Sequence, residues 1–139
     1  MKRTPLARKT PLRASGGLKR SAMRRKPRRK GKLPAEVYRL VMGRQGGRCE
    51  AGSPACTGTA EEWHHRQFRS RGGEDTPENG LAVCYNCHRW IEQNIVEATE
   101  NGWAVHSWDD PADVPVLSRG RWVHLDGAGV HPIDKGGAQ

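Results

Sequence analysis

The sequence contains no run of about 18 apolar residues, so it offers no candidate membrane span. Large apolar side chains are scarce. Phe occurs once, 35% of the 139 residues are hydrophobic, and the mean hydropathy is −0.84. A chain this polar can bury only a small core and calls for a staple. The basic N-terminal stretch lacks the apolar segment of a secretory signal, so the expected location is the cytoplasm. Cysteine is also sparse, with four in the chain. In a reducing compartment four cysteines point to a metal site rather than to disulfides.

Acidic residues are missing altogether from residues 1–32, which hold 14 of the 24 Lys and Arg. That segment carries +14, while the other 10 basic and 15 acidic residues leave the body at −5. The pI of about 10.0 therefore describes the arm and not the fold. The arm opens with a repeat of period six, "RTPLAR" (3–8) and "KTPLRA" (9–14). Pro, Gly and like charges argue against a packed core, so residues 1–32 are read as a disordered basic arm. Such an arm neutralises phosphates and makes nucleic-acid binding salt-dependent.

Residues 33–127 are expected to form the folded domain, and 128–139 a flexible tail. "LPAEVYRLVMGRQGG" (33–47) predicts a helix. Pro34 suits its first turn, Glu36 its positive end, and Gly46–Gly47 its stop. Val37, Leu40 and Val41 give it one apolar stripe. Residues 60–68 read as a strand and 70–80, "SRGGEDTPENG", as a loop. Residues 81–102 begin extended and become a helix ended by Asn101–Gly102. "WAVHSW" (103–108) and "RWVHLDG" (121–127) alternate like short strands.

Cys84 and Cys87 form a Cys-x2-Cys pair, and Cys49 and Cys56 a looser one with six residues between them. Four thiolates suit tetrahedral Zn2+ at about 2.3 Å. Such a clamp would make residues 57–83 a closed insertion. It would also supply folding free energy, on the order of 10 kcal/mol of metal binding in small zinc peptides. Inside the insertion, "EEWHHRQFRSRGG" (61–73) sets two of the six histidines side by side. Neighbours on a strand point to opposite faces, so packing alone rarely wants both. With His88 directly after Cys87, His64 can face His88 across a cleft while His65 takes a different role. Neutral imidazoles suit a divalent transition metal.

The run "WHHRQFRSRGG...TPENGLAVCYNCHRWIEQN" resembles the HNH nucleases, and most of all the small HNH endonucleases of tailed bacteriophages. The resemblance covers roughly residues 48–108. It implies an α+β chain: a zinc-stapled ββα-metal domain with a preceding helix and short C-terminal strands. It places His64 and His88 as ligands of a catalytic cation, His65 as general base, and Asn79 as the residue that orients the base. Glu92 stands where many relatives have a further His, so ligation by it is an open expectation. Cys49, Cys56, Cys84 and Cys87 are expected to hold the structural zinc. The catalytic ion is expected to be Mg2+, Mn2+, Ni2+ or Zn2+.

The implied reaction is hydrolysis of DNA phosphodiester bonds, by nicking or double-strand cleavage, leaving 5′-phosphate and 3′-hydroxyl ends. His65 would take the proton of an attacking water. Arg66, Arg69 and Arg71 are expected to hold backbone phosphates. The phage resemblance further implies a phage-encoded protein working in the host cytoplasm beside the terminase large subunit during DNA packaging. The competing reading is a zinc-finger-like nucleic-acid-binding protein without catalysis.

Overall fold

The computed structural model describes residues 31–134. Nearly all of the basic arm, residues 1–30, and the last five residues of the expected tail lie outside the described residues. Helix α1 (Ala35–Gly43) follows Pro34 and carries Glu36 in its first turn. Val41 is fully buried, with Val37 and Leu40 half-buried beside it, so the expected stripe is the packing face. The chain then runs through residues 44–61, where Arg48 bridges Thr59.

Strand β1 (Glu62–His65) pairs antiparallel with β2 (Gly80–Val83), in a register that sets His64 against Leu81 and His65 against Gly80. A 3-10 turn at Arg69–Arg71 starts the return between them, and Gly72 ends it at φ +93°. Gly73 is needed for a different reason: a Cβ there would sit 1.7 Å from the Gln67 carbonyl oxygen. Cys84 caps helix α2 (Tyr85–Gln93), its sulfur accepting from the Cys87 amide. Asn94 breaks the expected single helix, and helix α3 (Ile95–Glu100) follows. The Asn94 side chain donates to the Trp90 carbonyl at 2.9 Å, the local competition with helix bonds that short amides favour.

Strands β3 (Val116–Ser118), β4 (Arg121–Asp126) and β5 (Gly129–Pro132) form a second antiparallel sheet in that order. Strand β5 corrects the expectation of a flexible tail from residue 128. Asp126 Oδ1 accepts from the amides of Ala128 and Gly129, turning the chain back onto β4. The expected strand at 103–108 is also corrected. Residues 103 and 104 donate their amides to the Ala98 carbonyl, and Val105 donates to Arg66. Their alternation reflects burial of Trp103, Ala104 and Val105 and not pairing in a sheet. One core holds the domain together, with Leu81, Val83, Ile91, Trp103, Val116 and Leu125 around the buried cysteines.

Polar side chains complete this interior. Arg44 forms a two-pronged bond with Glu50, at 2.6 and 2.8 Å, and also donates to the carbonyls of Pro77 and Gly80. Glu50 is fully buried and accepts the Ala82 amide as well. Arg66, expected to hold phosphate, is 1% exposed. Its guanidinium donates to the carbonyls of Gly102, Glu78, Pro111 and Val114 at 2.7–2.9 Å. Burial, with Arg44 nearby, lowers its pKa to about 9, which leaves it charged at neutral pH. Arg66 is therefore a pin that ties the β1–β2 loop to the stretch between α3 and β3, and not a DNA contact. Removing one partner of such a set strands buried polar groups. Arg66→Met is expected to lower unfolding free energy by about 3–5 kcal/mol in chemical denaturation. Stability equal to wild type would contradict the pin.

Candidate functional site

The sulfur cluster is built from two separate segments of the chain. Residues 49–56 supply one pair of thiols, and the junction of β2 with α2 supplies the other. The ligand atoms of Cys49, Cys56, Cys84 and Cys87 all lie within 4.8 Å of one another. Protein donors surround them. The amides of Thr57 and Cys87 reach Cys84 Sγ at 3.4 and 3.3 Å, Gly58 reaches Cys56, and Ser53 Oγ lies 3.0 Å from Cys87 Sγ. The bond from Cys87 lowers the Cys49 thiol to about 4, and the same sharing raises Cys87. Donors aimed at sulfur favour thiolate, so the set fits a thiophilic cation. All four cysteines are free of disulfides.

Two histidines meet across β1 and α2. The rings of His64 and His88 are 5.1 Å apart, nearly edge to face. His64 is buried, and its Nε2 lies 2.8 Å from the Trp103 carbonyl. A carbonyl only accepts, so Nε2 carries the proton and Nδ1 keeps a lone pair. Burial pushes this imidazole down to about 3, so it is neutral at pH 7. His88 Nδ1 lies 2.5 Å from Glu62 Oε2, and its Nε2 lies 3.8 Å from Glu92 Oε1. An acceptor on one ring nitrogen is the arrangement that turns the other toward a metal. The donors thus fit a cation held by His64 Nδ1 and His88 Nε2, with Glu92 at its edge. Among the described residues, the cysteines alone make a closed group of three or more such donors.

His65 points to the other face of β1, where it packs edge-on against Trp63. Gly80 makes room for that indole, since a Cβ there would lie 2.2 Å from the Trp63 ring. His65 Nε2 lies 2.7 Å from Asp75 Oδ1, and Arg69 donates to the other carboxylate oxygen at 2.8 Å. Burial raises the Asp75 pKa, but the bonds from His65 and Arg69 outweigh it and hold the group below the usual carboxylate range. Asn79 is buried, and its side-chain hydrogen bonds go to the loop and not to His65. Its Oδ1 accepts the Gln67 amide at 2.6 Å, and its Nδ2 donates to the carbonyls of Gln67 and Glu74. It braces both ends of the loop beside the base position. Arg71 is exposed, its guanidinium 5.6 Å above the Phe68 ring. Glu62 and Asp75 escaped the sequence reading; acidic residues within ten positions of a histidine pair were the available signal.

Residues 49–93 match the HNH endonuclease family model. The matched segment runs from the first cysteine to the end of α2, so it holds both candidate centres. It supports the HNH family and nuclease activity in general. No curated protein and no solved structure matches the chain.

The ring geometry of this matched segment makes a binding prediction. Titrating Mn2+ calorimetrically into zinc-loaded protein is expected to show saturable binding that His88→Ala abolishes. Glu62→Gln is expected to weaken it roughly 10–100-fold, the usual effect of losing an outer hydrogen bond to a ligand histidine. Unchanged affinity in both variants would remove His88 from the ligand set.

Proposed function

We propose that the chain is a metal-dependent HNH endonuclease that hydrolyses DNA phosphodiester bonds, nicking or cutting both strands. The observation that carries this reading is the pairing of His64 with His88, each with one ring nitrogen held by an acceptor and the other able to bind a cation. The family match over the same residues supports it. Structural Zn2+ on the four cysteines fits the sulfur donor set. A second divalent cation, Mg2+, Mn2+, Ni2+ or Zn2+, would neutralise charge on the phosphoryl and departing 3′ oxygens. His65 takes the proton of the attacking water. Asn79 fixes the loop that flanks His65, and Arg71 holds a backbone phosphate. Arg69 joins that contact from beside Asp75. The basic arm at 1–32 adds salt-sensitive affinity for DNA.

A phage origin and a place beside the terminase large subunit in DNA packaging rest on the resemblance to phage enzymes alone. So does a cytoplasmic location; among the described residues no helix is long and apolar enough to cross a membrane. The rival reading is a zinc-stapled nucleic-acid-binding module. What favours it is that, among the described residues, only the four cysteines make a closed group of three or more metal donors.

Supercoiled plasmid separates the two. With Mg2+ or Mn2+ the wild-type chain is expected to nick or linearise it, EDTA to stop this, and His65→Ala to lose at least about 100-fold in rate while still binding DNA. Intact plasmid across a panel of divalent metals would favour the binding module.

A further inference from the structure

Asp75 has a geometry that none of the roles above uses. One carboxylate oxygen meets His65 Nε2 at 2.7 Å and the other meets Arg69 Nη2 at 2.8 Å. The Asp75 side chain is 19% exposed and His65 20%, so the pair is mostly shielded from water. The loop that carries Asp75 is held in place, because Asn79 Nδ2 grips the carbonyl of the preceding residue, Glu74, at 2.8 Å. On its other side the His65 ring abuts the edge of Trp63. The ring is thus fixed from two directions. An ionised carboxylate can only accept a hydrogen bond. The hydrogen shared by this pair therefore belongs to Nε2, and the neutral ring keeps its lone pair on Nδ1.

We infer that Asp75 is the positioning residue of the general base: it locks His65 as the Nε2–H tautomer and presents Nδ1 to the attacking water, with Arg69 holding the second carboxylate oxygen. This deepens the proposed nuclease reading and rests on His65 being its base. In the step, the water O–H bond breaks and its proton passes to Nδ1 while the water oxygen bonds to phosphorus. The P–O3′ bond breaks with its electron pair leaving on the 3′ oxygen. Asp75 stabilises the resulting imidazolium and keeps no proton itself, as a carboxylate behind a catalytic histidine does in hydrolases.

Two measurements on the full zinc-loaded chain test this. Long-range 1H–15N NMR is expected to show His65 as the Nε2–H tautomer in wild type and as a mixture in Asp75→Asn and Asp75→Ser. In plasmid cleavage both variants are expected to lose roughly 10–100-fold in kcat, with the thermal midpoint unchanged. A purely structural role for Asp75 would shift the midpoint and leave the tautomer alone. Wild-type His65 found as Nδ1–H, or variants with unchanged tautomer and kcat, would overturn the inference. A higher kcat in the variants would also overturn it, since Asp75 would then be blocking the base. If wild type never cuts DNA, the nuclease reading fails by itself, and the NMR comparison still decides whether Asp75 sets the ring.

Discussion

Four sulfurs brought within 4.8 Å of one another are the constraint on which the rest of this domain depends. Cys84 and Cys87 sit where β2 turns into α2, and Cys49 and Cys56 come from the segment that leads into β1. Joining the two pairs pins both ends of the hairpin and the first turn of α2. That first turn carries His88, and the hairpin carries His64 and His65 on opposite faces. A cation ligated by these four sulfurs would set the relative placement of the two imidazoles through the same anchor that folds the chain.

Polar side chains do what apolar ones are too few to do. Arg66 gathers four carbonyls from loops that no strand or helix would otherwise satisfy. Arg44 and Glu50 tie the end of α1 to β2 with every charged atom matched. Buried charges stabilise only when their hydrogen-bonding capacity is met, and here it is. These networks are directional. They fix the loop between β1 and β2 more sharply than an apolar core of this size would, and that loop holds the residues around His65.

Much of this was legible in the sequence, for physical reasons that differ by region. Cysteine spacing, the adjacent histidines and the Gly72–Gly73 return are local signals, and the structure brings their residues together as hairpin, helix start and sulfur cluster. The stripe on α1 and the strand at 121–126 followed from periodicity. Burial of charge did not. "RQFRSR" reads as a basic surface run, yet Arg66 faces inward because the alternation of β1 carries on into it and three of its four partners lie 36 to 48 residues away. Strand β5 depended on an aspartate turn inside a Gly-rich segment that composition marks as tail. Glu62 and Asp75 reach their histidines through pairing register and loop closure, which a linear pattern does not encode.

The most direct measurement of the central constraint is amide hydrogen exchange on the purified chain, before and after a chelator strips whatever metal ion the four cysteines hold. Metal removal is expected to erase protection in residues 48–59 and in 80–93, the two stretches joined through sulfur. Equal protection in those stretches with and without metal would contradict it, because the hairpin and α2 would then be held by packing alone.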